Sequence, residues 1–482
     1  MAVACIALLS YSESHDYPFN LSDYYHPEFF QQGLVLTPSA SIYSNQHQKS
    51  DLEYSNSQGE LTSRYFYQIH RKVWQLSGNY SLYGNGYKTH SVDSNYSSLY
   101  DLTSGSSYVN IELKNSGRYY FSGPVFVGGQ VDLRSGYNRY HHEDVTIRSS
   151  WDIMGPSHYY SPSFSSSREK STDHSKNALV EIVFGYGGIS DVTYPAVVMN
   201  MIDRIGTLQS GVSVTRNQIQ NLASKIELLK RERFLDFREN RIDVIDSLYR
   251  IFVKEAVIDS QSVKIAMELL DQWDYAFYQN RTAGKEVRIG PFINYHEQNY
   301  TRWSHRNTYT YNSDEERITY QPGLKLYAQY ARPLGRFYQF STRAIAKIST
   351  QTTDILSSYY YSSLSQREGF PEASLFYYAG LAWYPNTRTS IKGSIEASYY
   401  RAYDFTERSF IPENYRYGPD YQDNRRTQIG FGLSLDYYLS RNISLQINGG
   451  LSYRDEYYSE LFSIAQKSLQ YNLQSSLQYQ VF

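Results

Sequence analysis

The sequence predicts a mainly β fold: a transmembrane, antiparallel, up-and-down β-barrel of about 14 strands with an inserted α-helical subdomain. Three observations predict it. From Gly33 onward, segments of about ten residues alternate between apolar and polar, which is the period of a strand with two different faces. Aromatic residues make up 16% of the 482 residues and include 52 tyrosines, whose polar-tipped rings suit a membrane interface. Helical periodicity is confined to residues 191–278.

The composition excludes several other classes of protein. The formal net charge is −2 at pH 7, so no basic surface predicts a nucleic-acid partner. The single cysteine, Cys5, excludes an internal disulfide framework and a cysteine-based zinc site, and we expect no cofactor. No run approaches the roughly 18 apolar residues of a membrane-spanning helix. The chain is therefore expected to cross a membrane with strands.

Residues 1–32 are interpreted as a signal-like segment and an N-terminal tail. The run from Ala2 to Leu9 is apolar and resembles the hydrophobic part of a secretory signal, although the basic residues that usually precede it are missing. A lipoprotein-type signal around Cys5 and a frayed tail are the alternatives.

Six barrel strands are expected before the helical segment, in 33–188, and eight after it, in 285–482. Connections after even-numbered strands are short, whereas those after odd-numbered strands are long and rich in Ser, Tyr and Asp. This alternation is typical of outer-membrane barrels, with short periplasmic turns and long extracellular loops. The strands are expected near 33–46, 60–70, 72–86, 105–116, 118–137, 177–188, 286–299, 315–331, 334–350, 371–386, 388–403, 424–441, 442–455 and 465–482. The turns are expected near residue 71 and at 115–117, 333–335, 385–387 and 440–442, and the long loops at 138–176, 351–370 and 404–423.

The helical insert, 189–284, follows the sixth strand, so by parity it belongs in the periplasm together with both termini. Thr215 and Gln218 have the spacing of a capping box at the start of one helix. Apolar stripes at helical spacing are expected to pack against each other, because exposed they would form an apolar patch. The two main stripes are Ile219, Leu222, Ile226 and Leu229, and Ile242, Ile245, Tyr249 and Phe252; a third amphipathic run covers 263–273.

A charged segment, 230–239, lies between the two stripes. We expect it to be exposed and to form the contact surface for a periplasmic protein or for peptidoglycan. Its basic residues are Lys230, Arg231, Arg233 and Arg238.

Charged residues of both signs fall in the polar phase of the strands and are predicted to line the lumen. Lys or Arg on the lipid face would cost about 2–4 kcal/mol at the midplane, which favours an inward orientation. Either they form a constriction that selects solutes by charge, or they pair with each other and hydrate the wall. Because neither sign dominates, we expect weak ion selectivity. The predicted lining residues are Glu112, Lys114, Asp132, Arg134, Glu181, Arg288, Lys325, Arg343, Lys347, Lys392, Glu396 and Asp436.

An outer-membrane hydrolase is the least favoured alternative. Histidines and an aspartate share the segment 138–176, and two more histidines flank the next outer loop, but they show no fixed catalytic or metal-ligand spacing. We therefore predict no enzymatic activity. The residues concerned are His141, His142, His158, Asp173, His174, His296 and His305.

Two segments carry a resemblance to known proteins. The block Phe184-Gly185-Tyr186-Gly187-Gly188-Ile189 leads into the helices, and the segment 229–238 lies within them. Together with the tyrosine-rich alternating strands, they resemble a poorly characterised family of outer-membrane barrels from the Bacteroidota. The resemblance implies a location and a topology, and it implies no substrate or active residue.

The function expected from these observations is an outer-membrane, porin-like channel or conduit of a Gram-negative bacterium, surrounded by outer-membrane lipid. Its helical insert would act as a docking module or a plug, with docking slightly favoured because the charged segment suits a solvated contact. The main alternative is a non-conducting envelope scaffold that binds a periplasmic partner or peptidoglycan.

Overall fold

The computed structural model describes residues 19–47, 52–95, 98–121, 123–154, 157–209, 212–232, 241–258, 262–275, 279–306, 309–335, 337–359, 362–411, 415–440, 443–458 and 464–479. The strands before the helices are β1 (Phe29–His47), β2 (Leu52–His70), β3 (Trp74–Asn95), β4 (Ser98–Tyr120), β5 (Val125–Met154) and β6 (Ser157–Asp191). The helices are α1 (Thr193–Leu208), α2 (Arg216–Glu232), α3 (Arg241–Lys254) and α4 (Val263–Tyr275). The strands after them are β7 (Thr282–Arg306), β8 (Tyr309–Leu334), β9 (Tyr338–Tyr359), β10 (Ser362–Asn386), β11 (Thr389–Ile411), β12 (Tyr415–Ser440), β13 (Ile443–Tyr458) and β14 (Ile464–Tyr479).

All the strands belong to one antiparallel sheet, in the order β1 to β14 without a crossover. Strands make up most of the described residues. The predicted fold class is therefore confirmed: a mainly β, up-and-down antiparallel architecture of fourteen strands with an α-helical insertion. We call the end of the sheet where β6 passes into the helices the insert end, and the opposite end the hairpin end.

The strands are much longer than the sequence predicted. β5 has 30 residues and β6 has 35, about three times the 9–11 residues that cross a bilayer. The segments 138–176, 351–370 and 404–423 are consequently mostly paired strands, and the prediction of long loops there was wrong. The turn predicted at 115–117 was also wrong, because those residues pair with Leu76, Ser77 and Gly78 of β3.

The sheet has two different faces. On β12, Ile429, Phe431 and Leu433 are 40%, 52% and 62% exposed, and the residues between them project to the opposite side, as strand geometry requires. We call the apolar side the outer face and the other side the inner face. The predicted alternation is therefore confirmed on this strand.

Ion pairs between distant strands show that the inner face is concave. Arg118 of β4 donates to Glu286 of β7 at 2.8 Å. In a flat sheet these strands would lie about 14 Å apart, at about 4.8 Å for each of three steps. The sheet therefore curls around its inner face.

The backbones of β6 and β7 approach each other closely at one point. A Cβ at Gly290 would lie 1.9 Å from the carbonyl oxygen of Ile182, so only glycine fits there. The pairing of β6 with β7 is interrupted at the same place, between Glu181 and Phe184.

The hydrophobic core of the described residues is built by the helices. Ile219, Leu222 and Ile226 of α2 are fully buried and Leu229 packs against them, so the first predicted stripe is confirmed. The capping box is also present, because the Thr215 amide donates to Gln218 Oε1 at 2.8 Å and the Gln218 amide donates to Thr215 Oγ1 at 3.4 Å.

The second stripe differs from the prediction. On α3 the buried positions are Val244, Leu248 and Phe252, whereas Ile245 and Tyr249 are half-buried and the side chain of Ile242 lies outside the described residues. The buried residues are spaced by four rather than by three and four, so the buried face of α3 is rotated about the helix axis relative to the predicted stripe. Helix α1 was not predicted, although Val198, Met201 and Ile205 on it are completely buried.

The N-terminal segment packs into the same core. Phe19, Leu21 and Tyr24 are buried against the helices, and a short 3₁₀ turn, Leu21–Asp23, contacts β7 and β8. The signal-like run at residues 2–9 lies outside the described residues.

Candidate functional site

The outer face carries an apolar belt bounded by tyrosines. On β8, Leu324 and Leu326 are exposed between Tyr320 and Tyr330, which are 45% and 38% exposed. Ten residues at about 3.3 Å each, tilted by about 40°, give a belt about 25 Å tall. That height matches the lipid-facing band of a transmembrane barrel.

The inner face carries paired charges in the same region of the sheet. Glu112 pairs with Lys114 at 2.5 Å and with Arg134 at 2.8 Å, and Arg134 also lies 3.3 Å from Asp132. Lys325 donates to Glu181 at 2.8 Å. All these residues were predicted from the polar phase of the strands; the first group lies on the neighbouring strands β4 and β5, and the Lys325–Glu181 pair joins β8 to β6 across β7.

The other predicted residues form separate groups. Lys347 donates to Glu372 at 2.6 Å, and Lys392 donates to Asp436 at 3.0 Å. The guanidinium of Arg343 lies 5.4 Å from the ring centre of Phe376. Arg288 lies 4.2 Å from the ring centre of Tyr327 and 3.7 Å from Glu286. Glu396 lies opposite Tyr378 in the β10–β11 ladder.

Sequence reasoning missed three charged residues of this wall. All three fell at the expected ends of strands: Arg118 at the start of 118–137, Glu286 at the start of 286–299 and Glu372 at the start of 371–386. Glu286 and Glu372 are 3% and 8% exposed, so they are more deeply buried than most of the predicted residues. The sequence could have indicated two of them, because Glu286 and Glu372 are in phase with the inner-face residues Arg288 and Ser374.

A cavity of about 350 Å³ opens between these groups. Its wall combines the charges with apolar side chains that alternation alone would not place on the inner face. The apolar lining residues are Leu179, Phe292, Ile345 and Phe376, and the charged ones are Asp132, Arg134, Glu181, Lys325 and Lys347.

The helices and the residues that join them to β7 contact the sheet at its insert end, on two sides of the curled sheet. On the β1–β2 side, Arg231 of α2 donates to Gln31 at 2.8 Å and lies 3.6 Å from the ring centre of Phe29. On the β10–β11 side, Arg281 lies 4.7 Å from the ring centre of Tyr384. Arg388, between β10 and β11, donates to Asp271 of α4 at 2.5 Å.

One buried carboxylate organises the first of these contacts. Glu227 is fully buried and accepts from Tyr24 at 2.6 Å, from Arg231 at 2.7 Å and 2.9 Å, and it lies 2.9 Å from His26 Nδ1. We call Tyr24, His26, Glu227 and Arg231 the clasp, because they join the N-terminal segment and β1 to α2.

The electrostatics of the clasp favour a charged Glu227. Burial alone would raise the pKa of this carboxyl, but hydrogen bonds from His26, Tyr24 and Arg231 together with the charge of His26 hold the pKa below its usual value. Burial, followed by the negative charge of Glu227, raises the pKa of Tyr24. At the end of β2, burial and the neighbouring His26 lower the pKa of His70. The ring centres of His26 and His70 are 5.7 Å apart.

The structure places only part of the expected partner-binding segment. Arg231 is 15% exposed and engaged in the clasp, so the prediction that its side chain is exposed was wrong. Lys230 lies 4.9 Å from the ring centre of Trp273. Arg233 and Arg238 lie outside the described residues.

Among the described side chains considered for catalysis, His141, His174 and His305 each have a different partner. His141 lies 3.7 Å from Glu143, and His174 lies 3.5 Å from Ser135, whereas Asp173 accepts from Gln298. The side chain of His158 is outside the described set, and His305 contacts Thr310. Within the described ranges, no group of three or more His, Cys, Asp or Glu side chains is arranged to hold a metal ion. None of the described helices is long and apolar enough to cross a membrane.

No family model and no curated protein matches this sequence. Solved structures similar in extent include the TodX deltaS2S3 mutant monoaromatic hydrocarbon channel, at 10% identity, 96% coverage of this chain and 93% of that chain, with a TM-score of 0.26. The translocator domain of the autotransporter NalP from Neisseria meningitidis has 9% identity, 95% and 91% coverage and a TM-score of 0.21. The transport unit of the autotransporter AIDA-I from Escherichia coli has 7% identity, 94% and 90% coverage and a TM-score of 0.22.

Proposed function

We propose that the protein is an outer-membrane β-barrel that forms a conduit for small solutes, with its helical insert seated in the periplasmic mouth. The observation that carries this proposal is the contrast between the two faces. An apolar belt about 25 Å tall suits contact with lipid. The charged groups of the opposite face suit a hydrated interior, because removing charges from water is costly.

The contacts of the helices support a plug more than a docking module. Arg231 of α2 engages Gln31 on the inner face of β1, and Asp271 of α4 accepts a hydrogen bond from Arg388 between β10 and β11, so the helices bind the sheet on two sides. The main apolar stripe of α2 is used within the insert. Arg231, expected to meet a partner, is part of the clasp.

The paired charges support weak ion selectivity. Lys325, Lys347 and Lys392 each lie within 3.0 Å of a carboxylate, so their fields are largely cancelled at the wall. A conduit of this kind discriminates mainly by size and by the apolar part of the cavity.

The non-conducting scaffold is the second candidate, and one feature favours it. On α4, Val263 and Met267 are 81% and 63% exposed, four residues apart and so on the same side of the helix. This pair offers a small apolar contact for a periplasmic partner. Membership of the Bacteroidota barrel family stays a prediction based on the segments 184–189 and 229–238.

Single-channel conductance in planar bilayers tests the proposal. Residues 193–280 are replaced by a short glycine linker, and heat-dependent gel mobility checks that the strands still assemble. We expect low conductance from the full chain and a severalfold increase without the insert. Unchanged conductance together with loss of a co-purifying periplasmic protein would contradict the plug and favour the scaffold.

A further inference from the structure

A row of basic side chains crosses the outer face on the hairpin side of the apolar belt. In the strand pairing, Lys88 of β3 lies opposite Gly105 of β4, Gly105 lies opposite His141 of β5, and His141 lies opposite Lys170 of β6. Arg139 is two residues before His141, so it points to the same side. We call Lys88, Arg139, His141 and Lys170 the basic row.

The basic row borders a groove of about 360 Å³. Gly105 leaves the middle of the row open, because this position has no side chain. Thr103 and Ser107 of β4 are in phase with Gly105, so their hydroxyl groups lie on the same face and can donate hydrogen bonds there. The remaining lining residues are Tyr87, Thr103, Ser104, Gly105, Ser106 and Ser107.

The basic row lies just beyond the tyrosine boundary of the apolar belt, on the hairpin side. Tyr137 of β5 is 41% exposed on the outer face and belongs to the tyrosine boundary of the belt. Arg139 and His141 are the next two outward positions, about 7 and 13 Å further along the strand. In a membrane-embedded barrel, this is where acyl chains end and lipid headgroups begin.

Positive charge predominates in the row. Lys88, Arg139 and Lys170 are exposed, and none of them forms an ion pair with an acidic residue in the described part of the chain. The acidic side chain nearest to the row, Glu143, is held by Arg168 at 2.5 Å and lies 3.7 Å from His141.

We propose that the basic row binds the phosphate groups of an anionic lipid in the outer leaflet, with the acyl chains lying against the belt below. This inference rests on the proposed outer-membrane location. Arginine and lysine form strong, charge-assisted hydrogen bonds to phosphate, and a headgroup at this height meets both the charges and the hydroxyl-lined groove. The occupant is a membrane lipid rather than a soluble anion, because the groove opens on the lipid side of the sheet.

Native mass spectrometry of the intact protein in detergent tests the proposal, with phosphorylated lipid A as the probe. The patch variant combines K88Q, R139Q and K170Q. The control variant combines R401Q, R425Q and K467Q, which removes the same number of cations from the outer face. Arg401 and Arg425 already lie over Tyr403 and Tyr457, and Lys467 lies 4.0 Å from Asp455.

We expect the patch variant to bind phosphorylated lipid A about a hundredfold more weakly, from about a fivefold effect of each cation near a charged membrane surface. The control should change binding by less than about threefold, because Arg401, Arg425 and Lys467 lie on β11, β12 and β14 and do not line the groove beside the basic row. Lipid A without phosphates should bind the unmodified protein as weakly as phosphorylated lipid A binds the patch variant. A charge-conserving K88R/K170R variant should retain binding, and it separates loss of charge from loss of folding.

Equal binding by the patch and control variants, or equal binding of phosphorylated and dephosphorylated lipid, would overturn the proposal. Competition by millimolar inorganic phosphate without lipid discrimination would identify a soluble anion instead. Fractionation of cells distinguishes failure of the proposed function from failure of the lipid-binding inference. Recovery of the protein outside the outer membrane contradicts the proposed function, whereas correct location without lipid discrimination contradicts only this inference.

Discussion

Replacing Glu227 by glutamine should release the N-terminal segment from the helices. Glu227 is fully buried, and it holds the guanidinium of Arg231 at 2.7 Å and the ring of His26 at 2.9 Å. Breaking a buried ion pair costs about 3–5 kcal/mol because the remaining charge is left without its partner. Arg231 and His26 are 15% and 11% exposed and can recover some hydration, so we take the lower end, about 3 kcal/mol.

Hydrogen exchange of the backbone amides measures this opening. A cost of about 3 kcal/mol corresponds to an increase of about a hundredfold in local opening, concentrated in residues 19–31 and in α2. Asp246→Asn is the matched control, because Asp246 pairs with Arg250 on an exposed helix surface, where such pairs contribute about 0.3–0.5 kcal/mol. Exchange in Glu227→Gln within threefold of the control would refute the assignment of the clasp as the main attachment.

Three further outcomes are expected. Leu433→Lys should impair assembly into the outer membrane by about 2–4 kcal/mol at mid-depth, while Ser434→Lys, on the inner face, should assemble; equal assembly in heat-modifiability gels would mean that the belt does not meet lipid. Gly290→Ala should disrupt β6–β7 pairing because its Cβ meets a carbonyl oxygen at 1.9 Å, whereas Gly393→Ala, with open space around its Cβ, should keep its thermal stability. Since the pKa of His70 is lowered in the folded protein, the contribution of neutral His70 to stability is present above about pH 6.5 and is lost as the pH falls below that value. Hydrogen exchange in residues 19–31, corrected for intrinsic rates, should therefore become faster as the pH falls below about 6.5. Corrected exchange that does not depend on pH would contradict this prediction.

The sheet could be predicted where one of its faces is apolar and the other is polar. This contrast gives the sequence a period of two, as at Ile429, Phe431 and Leu433. It fades in hairpin extensions such as 138–145, where the residues of both faces are exposed or half-buried. Those residues therefore resembled loops. Asn115 resembled a turn residue, although its side chain accepts hydrogen bonds from Tyr67 and Tyr80 within the sheet.

The clasp could not be predicted for a different reason. Glu227 and Arg231 are four residues apart on a helix, which usually indicates an exposed ion pair. Their burial depends on Tyr24 and His26, about 200 residues earlier in the sequence, and no local pattern connects the two segments. The polar phase of the strands did identify most charged residues of the inner wall, since that phase is a local property.

Thiol labelling in intact cells tests the central claim most directly, namely that the helices occupy the periplasmic end of a membrane-spanning barrel. Cys5 is replaced by serine, and single cysteines are placed at Asp246, exposed on α3, or at Arg306, exposed at the end of β7. A maleimide carrying a large polyethylene glycol cannot cross the outer membrane. It should label Arg306→Cys in intact cells and Asp246→Cys only after the outer membrane is permeabilised. Labelling of Asp246→Cys in intact cells, with Arg306→Cys protected, would reverse the orientation and contradict the account.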